Sequence, residues 1–289
     1  MPRRRHDRRR EERPLRPAEE PLETLALLLL TVVATTPELE SLASSVGGDL
    51  VSVSHIVPAG QDAEAFQPRP QDLARIRAAR AVIRVGLDYD LWLDRLLAQS
   101  RGVQVIDAST DVALLDVRAG GIGPGDGHAH GRGNPHYWLD PLNAEMITAT
   151  ILEAFIRMDP PHAKRFEANR LAFLSRLDSK LADWSRRLRN VPPLVAYHDT
   201  WSYFARRFRL RFVGIIETRP GVAPSPAHLA ALIETARKEK AGIVVREAHE
   251  SQRDADFIAS RSGATVVTLA SHGDDYLSLI DDDVRLLAK

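Results

Sequence analysis

The chain has 289 residues, of which 44% are hydrophobic and 27% are charged. This is enough apolar side chain for one large domain or two of ordinary size, and it excludes disorder of the whole chain. Thirty-nine basic and thirty-nine acidic residues cancel, so no net field draws the protein to a polyanion and nucleic acid is not an expected partner. Cysteine is absent. We therefore expect no disulfide, no thiolate metal site, no cysteine nucleophile and no lipidated amino-terminal cysteine. Any bound metal must be held by nitrogen and oxygen.

Residues 1–24 form a leader rich in arginine and proline with few apolar side chains, a composition that predicts disorder. The leader runs into the apolar stretch Leu25–Ala34, which is shorter than the roughly twenty residues of a membrane span. Two interpretations stay open for this stretch. It is either the hydrophobic part of an atypical secretory signal, with acidic residues directly before it, or a buried first strand over Leu29–Thr35.

Short apolar runs alternate with helical patterns after this stretch, which predicts a sheet with crossover helices. The expected strands are Leu29–Thr35, Leu50–Val57, Ala81–Val85 and Val103–Ile106, and the expected helices are Glu38–Val46, Gln71–Arg80 and Asp90–Gln99. Residues 110–135 then lose periodicity and are rich in glycine and histidine. Long loops of this kind are usually functional or disordered.

A helical pattern begins at Pro141 and is interrupted only at Asp159-Pro160-Pro161. Its second half has one apolar stripe, which predicts a helix from about His162 to Arg189, roughly 40 Å long at 1.5 Å per residue. One small domain does not need a helix of that length, so we interpret it as a brace between two lobes. We therefore expect an N-terminal α/β lobe over 25–141, a helical region with the long linking helix over 142–189, and a C-terminal α/β lobe over 190–289.

The alternation of strands and helices resumes after the long helix. The expected strands are Leu194–Tyr197, Phe212–Ile216, Ile243–Arg246 and Thr265–Leu269, and the expected helices are Thr200–Phe208, Pro226–Lys238 and Ser251–Arg261. The predicted fold class is α/β, with two lobes built on central parallel sheets and joined by one long rigid helix. Ligands of open parallel sheets bind beyond the carboxyl ends of the strands, so we expect the site in the cleft between the lobes.

Imidazole and carboxylate side chains follow the predicted strands and lie in the glycine-rich loop. They are Asp62, Glu64, His128, His130, His136, His198, Glu217, Glu247, His249, Asp274 and Asp275. Without cysteine, such groups suit a divalent transition metal. Structural roles without a metal remain open for three of the acidic residues. Asp199 is placed to be a helix N-cap, and Glu217 is placed to orient the turn that follows it. Glu64 could be either a helix cap or a metal ligand. His128 and His130 favour weak metal capture in a flexible loop.

Four segments of the chain resemble the solute-binding proteins of zinc and manganese ABC transporters, the metal-binding cluster A-I family. They are Val33–Leu39, Asn134–Pro141, Tyr197–Phe208 and Pro224–Pro226, and the match runs in order from about Leu29 to Leu287. The resemblance implies a metal ion in the cleft between two lobes, zinc first and manganese or iron next. It also implies a monomeric protein outside the cytoplasm, periplasmic or otherwise extracytoplasmic, that delivers the ion to a membrane permease.

His136 and His198 match two metal ligands of that family. Glu64 stands where the family pattern has a histidine, and a harder oxygen ligand should lower discrimination for zinc and favour manganese or iron. The fourth family ligand is usually an acidic residue in the last loop of the second lobe. Our first candidate for it is Glu247, and the alternatives are His272, Asp274 and Asp275.

Capture of a metal ion without chemistry is the function that these residues favour. A metal-dependent hydrolase using the same histidines and carboxylates is the alternative, because three protein ligands with one open position are the catalytic arrangement of zinc. No HExxH pairing or nucleophile elbow accompanies the candidate ligands. A metal-linked adhesin or scaffold is a third possibility, for which the sequence offers no repeats.

Overall fold

A computed structural model describes residues 29–115, 133–218 and 222–289. The predicted disordered leader over 1–24, the first part of the apolar stretch, and the candidate capture residues His128 and His130 lie outside the described residues. Within the described ranges no helix combines the length and hydropathy needed to cross a bilayer.

The first sheet is parallel and has the strand order β2-β1-β3-β4. Its strands are β1 (Leu30–Ala34), β2 (Val51–His55), β3 (Ala81–Arg84) and β4 (Gln104–Asp107), and the helices that connect them are α1 (Pro37–Gly47), α2 (Pro70–Ala78) and α3 (Trp92–Leu97). Helices cover both faces of a parallel sheet, and the inner strands β1 and β3 accordingly carry runs of buried aliphatic side chains. The buried-strand interpretation of the apolar stretch is confirmed from Leu30 onward.

Two long helices follow the first sheet. They are α4 (Asn143–Met158) and α5 (Ala163–Arg187), separated by the single 3-10 turn Pro160–His162. Helix α5 has 25 residues, which gives it a length of about 38 Å. It buries one stripe made of Phe166, Phe173, Leu177 and Trp184. The predicted long helix with one apolar stripe is confirmed.

The second sheet repeats the plan of the first, with all strands parallel and the order β6-β5-β7-β8. Its strands are β5 (Leu194–Ala196), β6 (Phe212–Ile215), β7 (Ile243–Arg246) and β8 (Thr265–Thr268), and its helices are α6 (Ser202–Phe208), α7 (Pro226–Lys238) and α8 (Gln252–Ser262). The prediction of two α/β lobes with parallel sheets joined by a long helix is confirmed.

The last helix, α9 (Tyr276–Leu287), is missing from the sequence-based prediction. Asp275 precedes it as the N-cap and accepts a hydrogen bond from the backbone N–H of Ser278 through its side chain. Helix α9 packs against α5 and α1, so the end of the chain returns from the second lobe to the first. Its apolar residues at spacings of three and four were a readable signal.

One cluster of buried apolar side chains extends through both lobes. It includes Val32 of β1, Phe155 of α4, Trp184 of α5, Val245 of β7 and Val284 of α9. Because both sheets contribute to this cluster, the two lobes are packed on one common core.

Candidate metal centre

The carboxyl ends of the two sheets open onto one cleft with a volume of about 340 Å³. Loops from both lobes line it, including those that follow β2, β3, β5, β6, β7 and β8. This is where parallel sheets bind ligands, and it is the predicted position of the site.

Glu64, His136 and His198 converge in this cleft. Each offers one ligand atom, and the three atoms lie within 4.8 Å of one another. Nε2 of His136 is 3.4 Å from Oε1 of Glu64, and the rings of His136 and His198 are 5.9 Å apart. Two ligands at about 2.1 Å from one tetrahedral zinc ion are about 3.4 Å apart, so movements of little more than about 1 Å bring all three to the same ion.

Glu64 is held by a turn that Asp62 forms. The Oδ1 atom of Asp62 accepts hydrogen bonds from the backbone N–H groups of Glu64 and Ala65, at 2.9 and 3.1 Å. The indole N–H of Trp92 donates to the carbonyl oxygen of Ala63 at 2.9 Å. Asp62 is thus a turn residue of the Asx type, and Trp92 ties this loop to the first lobe.

Asn134 orients the ring of His136. Its Oδ1 accepts from the backbone N–H of His136 and lies 3.0 Å from Nδ1 of the same residue. A proton on Nδ1 leaves the lone pair on Nε2, which faces Glu64. Burial, followed by the nearby charge of His198, lowers the pKa of His136 to about 3. The imidazole is therefore neutral at physiological pH, the form that binds a metal ion.

Glu217 stands behind the ring of His198. Its Oε2 lies 3.3 Å from Nδ1 of His198, which leaves Nε2 as the atom for a metal ion. Burial lowers the pKa of His198, but Glu217 and the charge of Glu64 outweigh this effect and raise the pKa to about 9. At neutral pH an ion therefore has to displace the proton on Nε2 of His198 when it binds. The sequence interpretation of Glu217 as a turn residue missed this contact.

Asp199, next to His198, makes its hydrogen bonds with Ser202 and Asn134. Its carboxylate accepts a hydrogen bond from the hydroxyl of Ser202 at 2.5 Å. The expectation that Asp199 is a helix N-cap is wrong, because Trp201 occupies the N-cap of α6 and no described side chain makes a capping hydrogen bond there. Its carbonyl oxygen accepts from the side-chain amide of Asn134 at 2.8 Å. Asn134 therefore links the loop that carries His136 to the loop that carries His198.

Glu247, the first candidate for the fourth ligand, lines the same cleft and is 6% exposed. Its Oε1 accepts from the hydroxyl of Thr200 at 3.0 Å, and its Oε2 accepts from the hydroxyl of Ser271. It forms a second ligand group with His249 and Glu250, again within 4.8 Å. Burial and the charge of Glu247 raise the pKa of Glu250 to about 8.

The three alternatives for the fourth ligand lie in different surroundings. Asp274 and Asp275 are exposed and do not line the cleft, and Asp275 caps helix α9. His272 does line the cleft, but both of its ring nitrogens are engaged, Nδ1 with Glu38 and Nε2 with Tyr89.

Comparison with known proteins identifies what this arrangement is similar to. The family model described as zinc-uptake complex component A, periplasmic, matches residues 32–289. The crystal structure of ZnuA is similar with a TM-score of 0.80 and 28% sequence identity, covering 90% of this chain and 98% of that chain. The iron-binding protein YfeA of Yersinia pestis is 24% identical over 271 residues, which are 89% of this chain and 85% of YfeA. The manganese ABC transporter substrate-binding lipoprotein PsaA of Streptococcus pneumoniae is 22% identical over 280 residues, which are 90% of this chain and 88% of PsaA.

Proposed function

The chain belongs to the ZnuA family of periplasmic zinc-uptake components, and on that premise we propose that it binds a divalent transition metal ion outside the cytoplasm and delivers it to an ABC transporter permease. The observation that carries the proposal is the convergence of Glu64, His136 and His198 from two lobes within 4.8 Å. We propose that it acts without nucleic acid, as the balanced charge of the chain favours, and as a monomer, as the family resemblance implies.

The proposed ligands are Glu64 and His136 from the first lobe and His198 and Glu247 from the second. Asn134 and Glu217 position the two imidazoles from behind. Glu247 would exchange one of its hydrogen bonds to Thr200 and Ser271 for a bond to the ion. Its burial and its place in the cleft support this role.

Zinc is the first choice of ion, because two imidazoles with two carboxylate oxygens form a suitable tetrahedral site. Manganese and iron are the other choices, since two of the four ligands are hard oxygens. The matching family and relatives have names that specify zinc, iron and manganese. The choice of ion therefore depends on the ligand atoms of this cleft.

We propose binding without catalysis. Four protein ligands fill a tetrahedral zinc site, whereas a catalytic zinc ion keeps one position open for water. The family to which the chain belongs is one of transport components. Turnover of ester or phosphate substrates by the protein with added zinc, abolished in a His136→Ala variant, would favour the hydrolase instead.

The binding proposal is tested by calorimetric titration of zinc and manganese into the unaltered protein and into a His136→Ala, His198→Ala double variant. Removal of a residue that hydrogen-bonds to a metal ligand typically lowers metal affinity 10- to 100-fold. Because the double variant removes two ligands, we expect its affinity to fall by more than this. His162→Ala is the control, because His162 is exposed and pairs with Asp159 outside the cleft. Equal affinity of the double variant and the unaltered protein contradicts the proposal.

Delivery to a permease is tested in cells that lack the gene and grow in medium depleted of zinc or manganese. The unaltered gene should restore accumulation of the radioactive ion, and the double-variant gene should not. Restoration by the double variant would show that the cleft histidines do not serve uptake.

A further inference from the structure

The side chain of His272, in the wall of the cleft, joins the two lobes. It follows β8 of the second lobe and is 7% exposed. Its Nδ1 lies 2.9 Å from Oε2 of Glu38, at the start of α1, and its Nε2 lies 2.8 Å from the hydroxyl of Tyr89, which follows β3. Both partners belong to the first lobe, so one imidazole makes two buried polar contacts across the lobe boundary.

Neighbouring contacts hold the same loop against the first lobe. The indole N–H of Trp138 donates to the carbonyl oxygen of Ser271 at 2.7 Å, and the ring of Trp138 stacks on His272 with 5.3 Å between centroids and 24° between planes. The backbone N–H of Tyr276 donates to the hydroxyl of Ser41 at 3.0 Å. Residues 271–276 are thus fixed to the first lobe at both ends.

Glu38 makes the contact to His272 costly to break. The carboxylate is completely buried, and its Oε1 atom has no hydrogen-bond partner among the described residues. The imidazole of His272 is therefore the main group that compensates the charge of Glu38. Loss of this contact while Glu38 stays buried would leave a carboxylate without a compensating donor, which is strongly unfavourable.

His272 also connects the two halves of the proposed metal site. On the second lobe, Ser271 donates through its hydroxyl to Oε2 of Glu247. On the first lobe, the ring of Tyr89 packs edge-on against His136 at 5.5 Å and 82°. A shift of His272 would therefore act on Glu247 through Ser271 and on His136 through Tyr89.

We propose that His272 is a positioning residue that fixes the first lobe against the second, so that the ligands of both lobes are in register before the ion arrives. Preorganisation of this kind reduces the free-energy cost of ordering a site on binding. The consequence for metal affinity rests on the proposed function. The consequence for the lobe geometry does not.

The lobe geometry is tested by electron paramagnetic resonance in the absence of metal. The chain has no cysteine, so Arg95→Cys on α3 and Lys238→Cys on α7 place one spin label on each lobe at exposed positions. We expect one narrow distance distribution in the labelled protein and a broadened or shifted one after His272→Ala. The matched control is His162→Ala, which removes a surface pair between a histidine Nδ1 and an aspartate at 2.7 Å. An unchanged distribution in His272→Ala overturns the proposal.

Tyr89→Phe provides a milder variant, because it removes one hydroxyl and leaves the pair of His272 with Glu38 in place. If His272→Ala does not fold, the test is made with Tyr89→Phe. We again expect a broadened or shifted distance distribution, and an unchanged distribution overturns the proposal. In both variants we expect zinc affinity to fall about tenfold, the lower end of the effect of outer residues on metal sites. A lower melting temperature with unchanged distance distribution and unchanged affinity would show a purely structural role and overturn the proposal. Loss of binding in the His136→Ala, His198→Ala variant tests the function separately.

Discussion

Glu64 places a carboxylate where the family pattern has a histidine, and this single difference bears on metal choice. It lies 3.4 Å from His136, close enough for both to bind one ion. We predict that Glu64→His raises the ratio of zinc to manganese affinity by about tenfold, or about 1.4 kcal/mol, because a nitrogen ligand favours zinc over the harder manganese ion. Competition calorimetry with both ions measures the ratio.

A matched control for this substitution is Glu153→His, which introduces the same side chain at an exposed position on α4. It should leave the ratio as it is in the unaltered protein. A ratio that stays unchanged in Glu64→His would show that Glu64 does not act as a ligand, and a shift toward manganese would contradict the argument from ligand hardness.

Asn134 acts on His136 without being a proposed ligand. Because its Oδ1 fixes the proton on Nδ1 of His136, we predict that Asn134→Ala weakens zinc binding by about 10- to 100-fold, as is typical for partners of ligating histidines. Asn169→Ala is the control, since Asn169 bonds to the carbonyl oxygen of Val46 away from the cleft. Similar zinc affinities of the two variants, by calorimetry, would contradict this role of Asn134.

Asp283 on α9 is a buried acid, and it makes stability depend on pH. Burial raises its pKa well above the usual 3.8, the Glu247 and Asp282 carboxylates raise it further, and the backbone N–H of Ala270 lowers it. Between 3.8 and the raised pKa the folded protein binds more protons than the unfolded chain, so the free energy of unfolding falls as pH rises, by at most about 1.4 kcal/mol per pH unit.

We predict that Asp283→Asn removes this part of the pH dependence. Asparagine keeps the acceptor for the backbone N–H of Ala270, 3.1 Å away, and has no charge to bury. The stability of the variant relative to the unaltered protein should therefore increase from pH 5 to pH 8 in denaturant titrations. A constant difference over this range would mean that Asp283 does not change its protonation between the folded and unfolded states.

The proposed metal ligands and the residues behind them differ in how well the sequence predicts them. Glu64, His136 and His198 follow strand ends or lie in a recognisable segment, and the structure brings them together. The contacts of Asn134 and Glu217 depend on where separate loops meet and on the rotation of an imidazole ring. Neither the meeting of these loops nor the rotation of the ring can be predicted from the spacing of residues along the chain.

At the scale of elements, α5 is stabilised by burial of one stripe and not by its exposed faces. Phe173 is buried and lies 6.3 Å from the ring of Tyr276 on α9. We predict that Phe173→Ala lowers the free energy of unfolding by about 3–5 kcal/mol. Leu171→Ala, two residues away in the same helix and 70% exposed, should change it by less than about 0.5 kcal/mol. Equal losses in chemical denaturation would contradict the assigned stripe.

Strands and most helices are predictable here because each carries its own periodicity, and the limits of α7 and β7 agree with the prediction residue for residue. The packing of α9 against α1 and α5 could not be predicted in this way. Its apolar stripe is visible in the sequence, but the surface that buries the stripe belongs to elements far away in the chain. The strand orders of the two sheets are likewise a property of packing, which one-dimensional patterns only restrict.

The continuous core governs how the whole molecule responds to metal. Because buried side chains of β1, α4, α5, β7 and α9 form one cluster, a large rotation of one lobe against the other would expose apolar surface that is now packed. The proposed metal ligands, in contrast, lie in loops after the strands, where small rearrangements cost little. Ion binding should therefore order loops and leave the lobes in place.

We predict that zinc leaves the radius of gyration unchanged in small-angle X-ray scattering. In hydrogen exchange, added protection should be confined to the loops that carry Glu64, His136, His198 and Glu247. The His136→Ala, His198→Ala variant serves as the control, because it should show no added protection at the same zinc concentration. A radius of gyration that decreases on addition of zinc, or protection that spreads through α5, would mean that the shared core yields on binding. The free energy of metal binding would then include repacking of the core, and the affinity could no longer be derived from the cleft residues alone.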